Sequence, residues 1–223
     1  GLKPLPLVIT HGWPSSFAEF TKILPLLTDP AAHGGRAEDA FDVVAPSLPG
    51  YGFSGRPTKS GGTSRHVTGL WTKLMTDVLG YERFAAHGGD IGGGITNRLA
   101  RFHPERMIAI HTMVAPSIPI GLAKNLGAAE HAWYEYNDRW EADEGAYGQQ
   151  QRTRPQTLAF GLNDSPIGLA AWIVEKWRSW SDCGGDLLSH FTMDELLTNI
   201  SIYWFTQTIG SSVRMYYETA HAP

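Results

Sequence analysis

The chain has a single cysteine, Cys183, in 223 residues, so an intrachain disulfide is excluded and a reducing compartment suits it. Basic clusters are missing as well. Eighteen Lys and Arg stand against 22 Asp and Glu for a net charge of −4, without a long run of either sign. Nucleic acid and acidic membrane surfaces are therefore poor partners. No apolar run approaches the ~20 residues of a membrane span, and no signal peptide opens the chain, so a cytoplasmic location is expected. The nine histidines are scattered, with no pair at ligand spacing beside a carboxylate. Neither a metal nor another cofactor is expected. Aromatics, by contrast, are plentiful: eight Trp and eight Tyr favour a site lined with rings. The length allows one large domain or a domain plus a cap.

The most informative stretch is 84–94. A short apolar run ends in small residues, one carboxylate follows, and further glycines lead into an amphipathic segment. Gly88-Gly89-Asp90-Ile91-Gly92 fits strand, sharp turn, helix: a nucleophile elbow G-x-Nu-x-G with Asp at its apex. Glycines are needed there because strand and helix backbones approach closely and the apex residue is strained. A phosphate loop is excluded, since no Gly-Lys-Ser/Thr follows, and the glycines miss the dinucleotide register.

Residues 7–10 form an apolar strand running into His11-Gly12-Trp13-Pro14. Ser16 with Glu19 three residues on predicts a capping box and a helix to about Leu27. A strand ending in a glycine turn beside a helix start leaves N–H groups aimed at one spot, a geometry that suits an oxyanion hole. Residues 28–40 read as loop, 41–46 as strand, and 48–54 as a turn-rich loop carrying Tyr51 and Phe53. Val67, Leu70, Trp71, Leu74 and Val78 recur at helical spacing. The elbow strand, the Asp90 helix and a strand over 107–113 follow. Alternating strands and helices predict an α/β fold with a parallel sheet and crossover helices. Beyond about Pro119 only helices are expected: near 123–143, after Ser165-Pro166, after Thr192 with Glu195, and through 200–217.

Taken together, His11-Gly12-Trp13-Pro14, the loop Ala45-Pro46-Ser47-Leu48-Pro49-Gly50-Tyr51-Gly52-Phe53-Ser54 and the Asp90 elbow resemble the epoxide hydrolases of the α/β-hydrolase superfamily. Two later stretches narrow the resemblance to the microsomal and juvenile-hormone-type branch and its bacterial relatives. They are Arg154-Pro155-Gln156-Thr157 through Trp172, and Asn199-Ile200 through Tyr203-Trp204 to Tyr216. The resemblance implies an α/β-hydrolase core over 1–118 and a helical cap over 119–223.

It also implies chemistry. Asp90 would attack a carbon of a small hydrophobic epoxide and form a hydroxyalkyl ester, dividing one hard step into two. Tyr147 and Tyr216 would donate hydrogen bonds to the ring oxygen, with Tyr203 and Tyr217 as rivals for the second role. A phenol suits this because it offers a proton at neutral pH while uncharged. Water would then attack the ester, and the backbone N–H groups of Trp13 and Ile91 would hold the oxyanion. Trp13, Tyr51 and Phe53 are expected around the substrate, with packing roles as the alternative. His11 and His87 are expected to be structural, His87 buried below the apex.

Two departures from the family stand out. Ile91 replaces the Trp that often follows the nucleophile, which changes the pocket wall but keeps the backbone N–H. The charge-relay acid and water-activating histidine, which follow the cap in this fold, have no counterpart here. The resemblance therefore implies a fragment: the sheet would keep raw edges, and the chain alone would stop at the ester. Other functions consistent with the sequence are a haloalkane dehalogenase, which shares the Asp elbow, and a non-catalytic binder of hydrophobic ligands.

Overall fold

A computed structural model describes residues 3–114 and 125–222. The expected boundary between core and cap, at 118/119, lies outside the described residues. Among the described residues four parallel strands form the sheet: β1 (Leu5–Thr10), β2 (Phe41–Val44), β3 (Phe84–Gly88) and β4 (Met107–Thr112), in the order β2-β1-β3-β4. Thr10 lies beside Gly88 in the β1–β3 register, so the His11 turn and the Asp90 elbow leave the same end of the two central strands. In open α/β sheets that carboxyl end is where ligands bind.

Strand residues alternate between two cores, as the two-residue period requires. Leu5, Leu7 and Ile9 pack with Phe20, Leu24 and Leu27 on one face. Val8 and Ala86 face the opposite side, against α2 (Ser64–Lys73), continued by a π-helical turn at Leu74–Val78, and α3 (Asp90–Phe102). Thr63 caps α2 by accepting the His66 N–H. Among the described residues the sheet ends at β4, where Ile108 and Ile110 are exposed.

The helix expected to reach Leu27 is broken. A single 3-10 turn, Phe17–Phe20, is followed by the short α1 (Leu24–Thr28). Pro25 has no N–H to give the preceding turn, so it can only open a new helix, and it sits in the first turn of α1.

Among the described residues the second half is helical as expected, but in six α-helices rather than four. They are α4 (Ala128–Glu144), α5 (Ala146–Thr153), α6 (Pro155–Asp164), α7 (Pro166–Trp180), α8 (Met193–Thr206) and α9 (Ile209–His221). Pro155 and Pro166 each open a helix. The capping box at Thr192 and Glu195 forms. The expected continuous helix through 200–217 is interrupted at Gln207, whose φ of 56° is left-handed. Among the described residues no helix is long and apolar enough to cross a membrane.

Candidate active site

Asp90 has φ 48°, an unfavourable conformation for a residue with a Cβ, held in place by the elbow. The packing around it shows why glycines flank it. A Cβ on Gly88 would lie 2.3 Å from the Gly92 backbone, and one on Gly92 would lie 1.9 Å from the Thr10 carbonyl oxygen. Gly92→Ala must push α3 off β1 and is expected to destabilise the chain by about 3 kcal/mol. Gly69→Ala, in a helix with open space around it, serves as the control and should stabilise by about 0.5–1 kcal/mol. Thermal unfolding of the two variants checks both.

The Asp90 carboxylate accepts the Trp13 backbone N–H through Oδ1 at 2.9 Å, and the Ile91 N–H also bonds to it. Protein surrounds the group on most sides, yet the side chain is exposed at the mouth of a cavity of about 520 Å³ shared with Trp13, Glu19, Lys176 and Trp180. Burial raises its pKa, and the two N–H groups oppose the shift. Water entering through the mouth also favours the charged form.

Trp13 is buried and central. Its ring stacks on Tyr147 at 5.2 Å with planes 6° apart, and meets Tyr216 edge-on at 6.0 Å. The two tyrosines lie edge-on at 6.0 Å and their hydroxyls hydrogen-bond each other. Burial, then the Asp90 charge, pushes Tyr147 up to about 12 and Tyr216 well above its ordinary value. Both phenols therefore stay protonated across the physiological range. Of their rivals, Tyr203 is buried with its hydroxyl on the Ser15 carbonyl at 2.7 Å, and Tyr217 is exposed and stacked on His221. The Trp13 indole N–H has no partner among the described residues.

Two expected pocket residues lie elsewhere. Tyr51 is fully buried, its ring against His11 and Tyr203 and its hydroxyl 3.3 Å from the Ser212 carbonyl, so it braces α9 rather than lining the Asp90 cavity. Phe53 is 76% exposed and packs against Phe17, away from Asp90. In a loop, side-chain direction follows no period, and sequence spacing could not sort the inward ring from the outward one.

His11 Nε2 accepts the Leu48 N–H at 3.1 Å and Nδ1 lies 3.0 Å from the Gly12 carbonyl. Burial lowers its pKa to about 4, so it is neutral and ties the turn to the next loop. His87 is half-buried rather than buried. Its ring stacks on His111 at 4.8 Å, and burial lowers its pKa.

The sequence spacing assigns Glu19 only a capping role. Its carboxylate instead accepts the Ser15 hydroxyl and opens into the Asp90 cavity. Burial, and less so the Asp90 charge, pushes its pKa up to about 7 against the Ser15 bond. Its exposure to the cavity admits water, which works against that shift. Helix α8 holds the turn from above. Asn199 Nδ2 donates to the buried Pro14 carbonyl at 2.8 Å, beside the Tyr203 bond to Ser15. Asn199→Ala leaves that carbonyl unpaired and should cost about 1–3 kcal/mol, read as a lower urea midpoint at constant slope.

The sequence profile of the α/β hydrolase fold matches residues 6–149. The chain belongs to the α/β-hydrolase family. It is 46% identical over 217 residues to a Stigmatella aurantiaca protein named as a candidate epoxide hydrolase, covering 97% of this chain and 49% of that relative. To rabbit epoxide hydrolase 1 it is 37% identical over 240 residues, covering 98% of this chain and 52% of the relative. The crystal structure of juvenile hormone epoxide hydrolase from the silkworm Bombyx mori superimposes with a TM-score of 0.85 at 32% identity, over 98% of this chain and 55% of that one. The α/β-hydrolase chain thus spans about half the length of the curated relatives it matches, and those relatives carry epoxide hydrolase names.

Proposed function

We propose that Asp90 is the nucleophile of an epoxide hydrolase. Its carboxylate attacks a ring carbon of a hydrophobic epoxide; the ester C–O bond forms as the ring C–O bond breaks. Tyr147 and Tyr216 hold the departing oxygen and one phenol supplies its proton. Water then attacks the ester carbonyl and its proton returns to the phenolate, the N–H groups of Trp13 and Ile91 hold the oxyanion, and collapse releases a vicinal diol and regenerates the carboxylate. Oxyanion donors of this kind contribute roughly 2.7–4 kcal/mol each in comparable acyl chemistry.

The observation that carries the reading is the meeting of a strained elbow carboxylate, held by the Trp13 N–H, with two protonated phenols packed on the Trp13 ring. His87 and Glu19 both line the Asp90 cavity, but among the described residues no hydrogen bond joins a histidine to a carboxylate there, and His87 stacks on His111 instead. A polypeptide limited to these residues is therefore expected to stop at the ester.

The test is to incubate the chain with styrene oxide and measure its intact mass. The expected result is a gain of one epoxide, mapped to the peptide carrying Asp90. An unmodified chain that binds the epoxide would favour a non-catalytic pocket. Labelling by 1-chlorobutane but not by styrene oxide would favour a dehalogenase, a reading that the unpartnered Trp13 indole N–H supports as one halide donor.

A further inference from the structure

Among the described residues Lys176 is the one buried lysine, and it lines the same cavity as Asp90. Burying an ammonium is costly unless it is paired. Its Nζ lies 3.3 Å from Glu144, at the end of α4, and 2.7 Å from Glu175, its neighbour in sequence. Glu144 also accepts the Trp180 indole N–H at 3.2 Å, so the carboxylate is held from two sides. The ammonium sits 5.5 Å from the centre of the Tyr147 ring and 5.6 Å from that of Trp180, within reach of a cation–π contact.

The two phenols are not equivalent. Burial is the main cause of the raised pKa at both, but the hydrogen bond between them lowers Tyr147 and raises Tyr216. Tyr216 is therefore the donor and Tyr147 the acceptor, which leaves the Tyr147 proton free for a substrate. When Asp90 becomes an ester it loses its charge, and the phenol that gives up its proton gains one. The negative charge moves from the carboxylate to a ring. A cation facing that ring attracts a phenol weakly and a phenolate strongly, so its effect grows along the reaction. Glu141 and Arg152 also act on Tyr147, but they pair with each other at 3.1 Å and largely cancel.

We propose that Tyr147 is the phenol that protonates the opening epoxide, and that Lys176 is a positioning residue whose ammonium stabilises the resulting phenolate. The inference rests on the nucleophile reading above and assigns the proton within it. The Asp90 oxygen bonds to the ring carbon as the ring C–O bond breaks. The freed oxygen takes the Tyr147 proton, and the Tyr216 hydroxyl returns to the phenolate oxygen.

The test is the rate of adduct formation on Asp90 by styrene oxide in a double-mutant cycle, with the fold of each variant checked by circular dichroism. Lys176→Met keeps an unbranched stem and removes the charge; it should slow labelling about tenfold, the scale of a desolvated cation over a ring. In Tyr147→Phe, which keeps the ring but has no proton to give, the same substitution should change the rate by less than about twofold. Lys176→Arg should keep most of the rate. Glu144→Gln leaves an acceptor for Trp180 and frees the ammonium, so it should speed labelling about threefold, a gain that misfolding cannot mimic. Equal slowing by Lys176→Met in both backgrounds, as a direct donor or a structural brace would give, overturns the proposal. So does an unchanged rate in the Tyr147 background, a Lys176→Arg as slow as Lys176→Met, or a Glu144→Gln without a gain. Should Lys176→Met not fold, Glu144→Gln in the two backgrounds decides. If the unaltered chain takes no adduct, the nucleophile reading fails and this one with it; an adduct whose rate is indifferent to Lys176 removes only this inference.

Discussion

Labelling of the chain by styrene oxide is expected to fall at least about 10⁴-fold in Asp90→Ala, the order seen when a nucleophile that acts with its partners is deleted. The variant loses the acceptor of the Trp13 N–H but leaves the elbow glycines in place. A folded Asp90→Ala chain that still gains the mass of one epoxide would place the nucleophile elsewhere. The pH profile of the unaltered chain adds a second check. Only the ionised carboxylate attacks, and burial raises the Asp90 pKa. A raised pKa holds the proton to higher pH, so labelling should be lost on acidification above the ordinary carboxylate value of 3.8. Glu19, pushed up to about 7 in the same cavity, adds like charge as it ionises, so the two groups should titrate as a coupled pair.

Replacing both phenols, Tyr147→Phe with Tyr216→Phe, should slow labelling by about 10³-fold, within the usual range for removing a positioned general acid. Each single variant should lose less, because the remaining hydroxyl still faces the opening ring. The rings themselves stay, so the stack on Trp13 and the packing against Tyr216 persist. Binding of a saturated analogue should therefore change little while the rate collapses, a pattern that packing damage would not produce. A double variant that labels at the original rate removes the tyrosines from the mechanism.

The elbow was legible because its constraint is local. Gly88 and Gly92 are glycines for contacts of 2.3 and 1.9 Å, which no other side chain could survive. The strands and the Thr192 cap were legible for similar reasons of period and cap chemistry. Less was legible where an interruption carries no glycine. Gln207 ends α8 in a left-handed conformation that its side chain does not announce. Pro25 marks the break before α1, because it has no N–H to give the preceding turn. Glu19 shows the limit more sharply. Its spacing from Ser16 is that of a capping box, and only the fold turns its carboxyl to Ser15 and toward Asp90. Tyr51 and Phe53, two residues apart, part company between core and solvent for want of any period in their loop.

Helices α8 and α9 are stitched to the sheet side of the molecule at many points. Asn199 and Tyr203 hold Pro14 and Ser15, Lys22 pairs with Glu195, Tyr51 reaches Ser212, Ser211 reaches Gly50, and the Gly61 N–H reaches Glu218. Helix α4, by contrast, buries none of its residues. In the time domain this sets a gradient: amide hydrogens of α8 and α9 should exchange with solvent only when the whole structure opens, while those of α4 exchange through local fraying. Breathing that admits a substrate would then come from the α4 side, with Tyr216 standing still and Tyr147, one helix away from α4, on the moving edge.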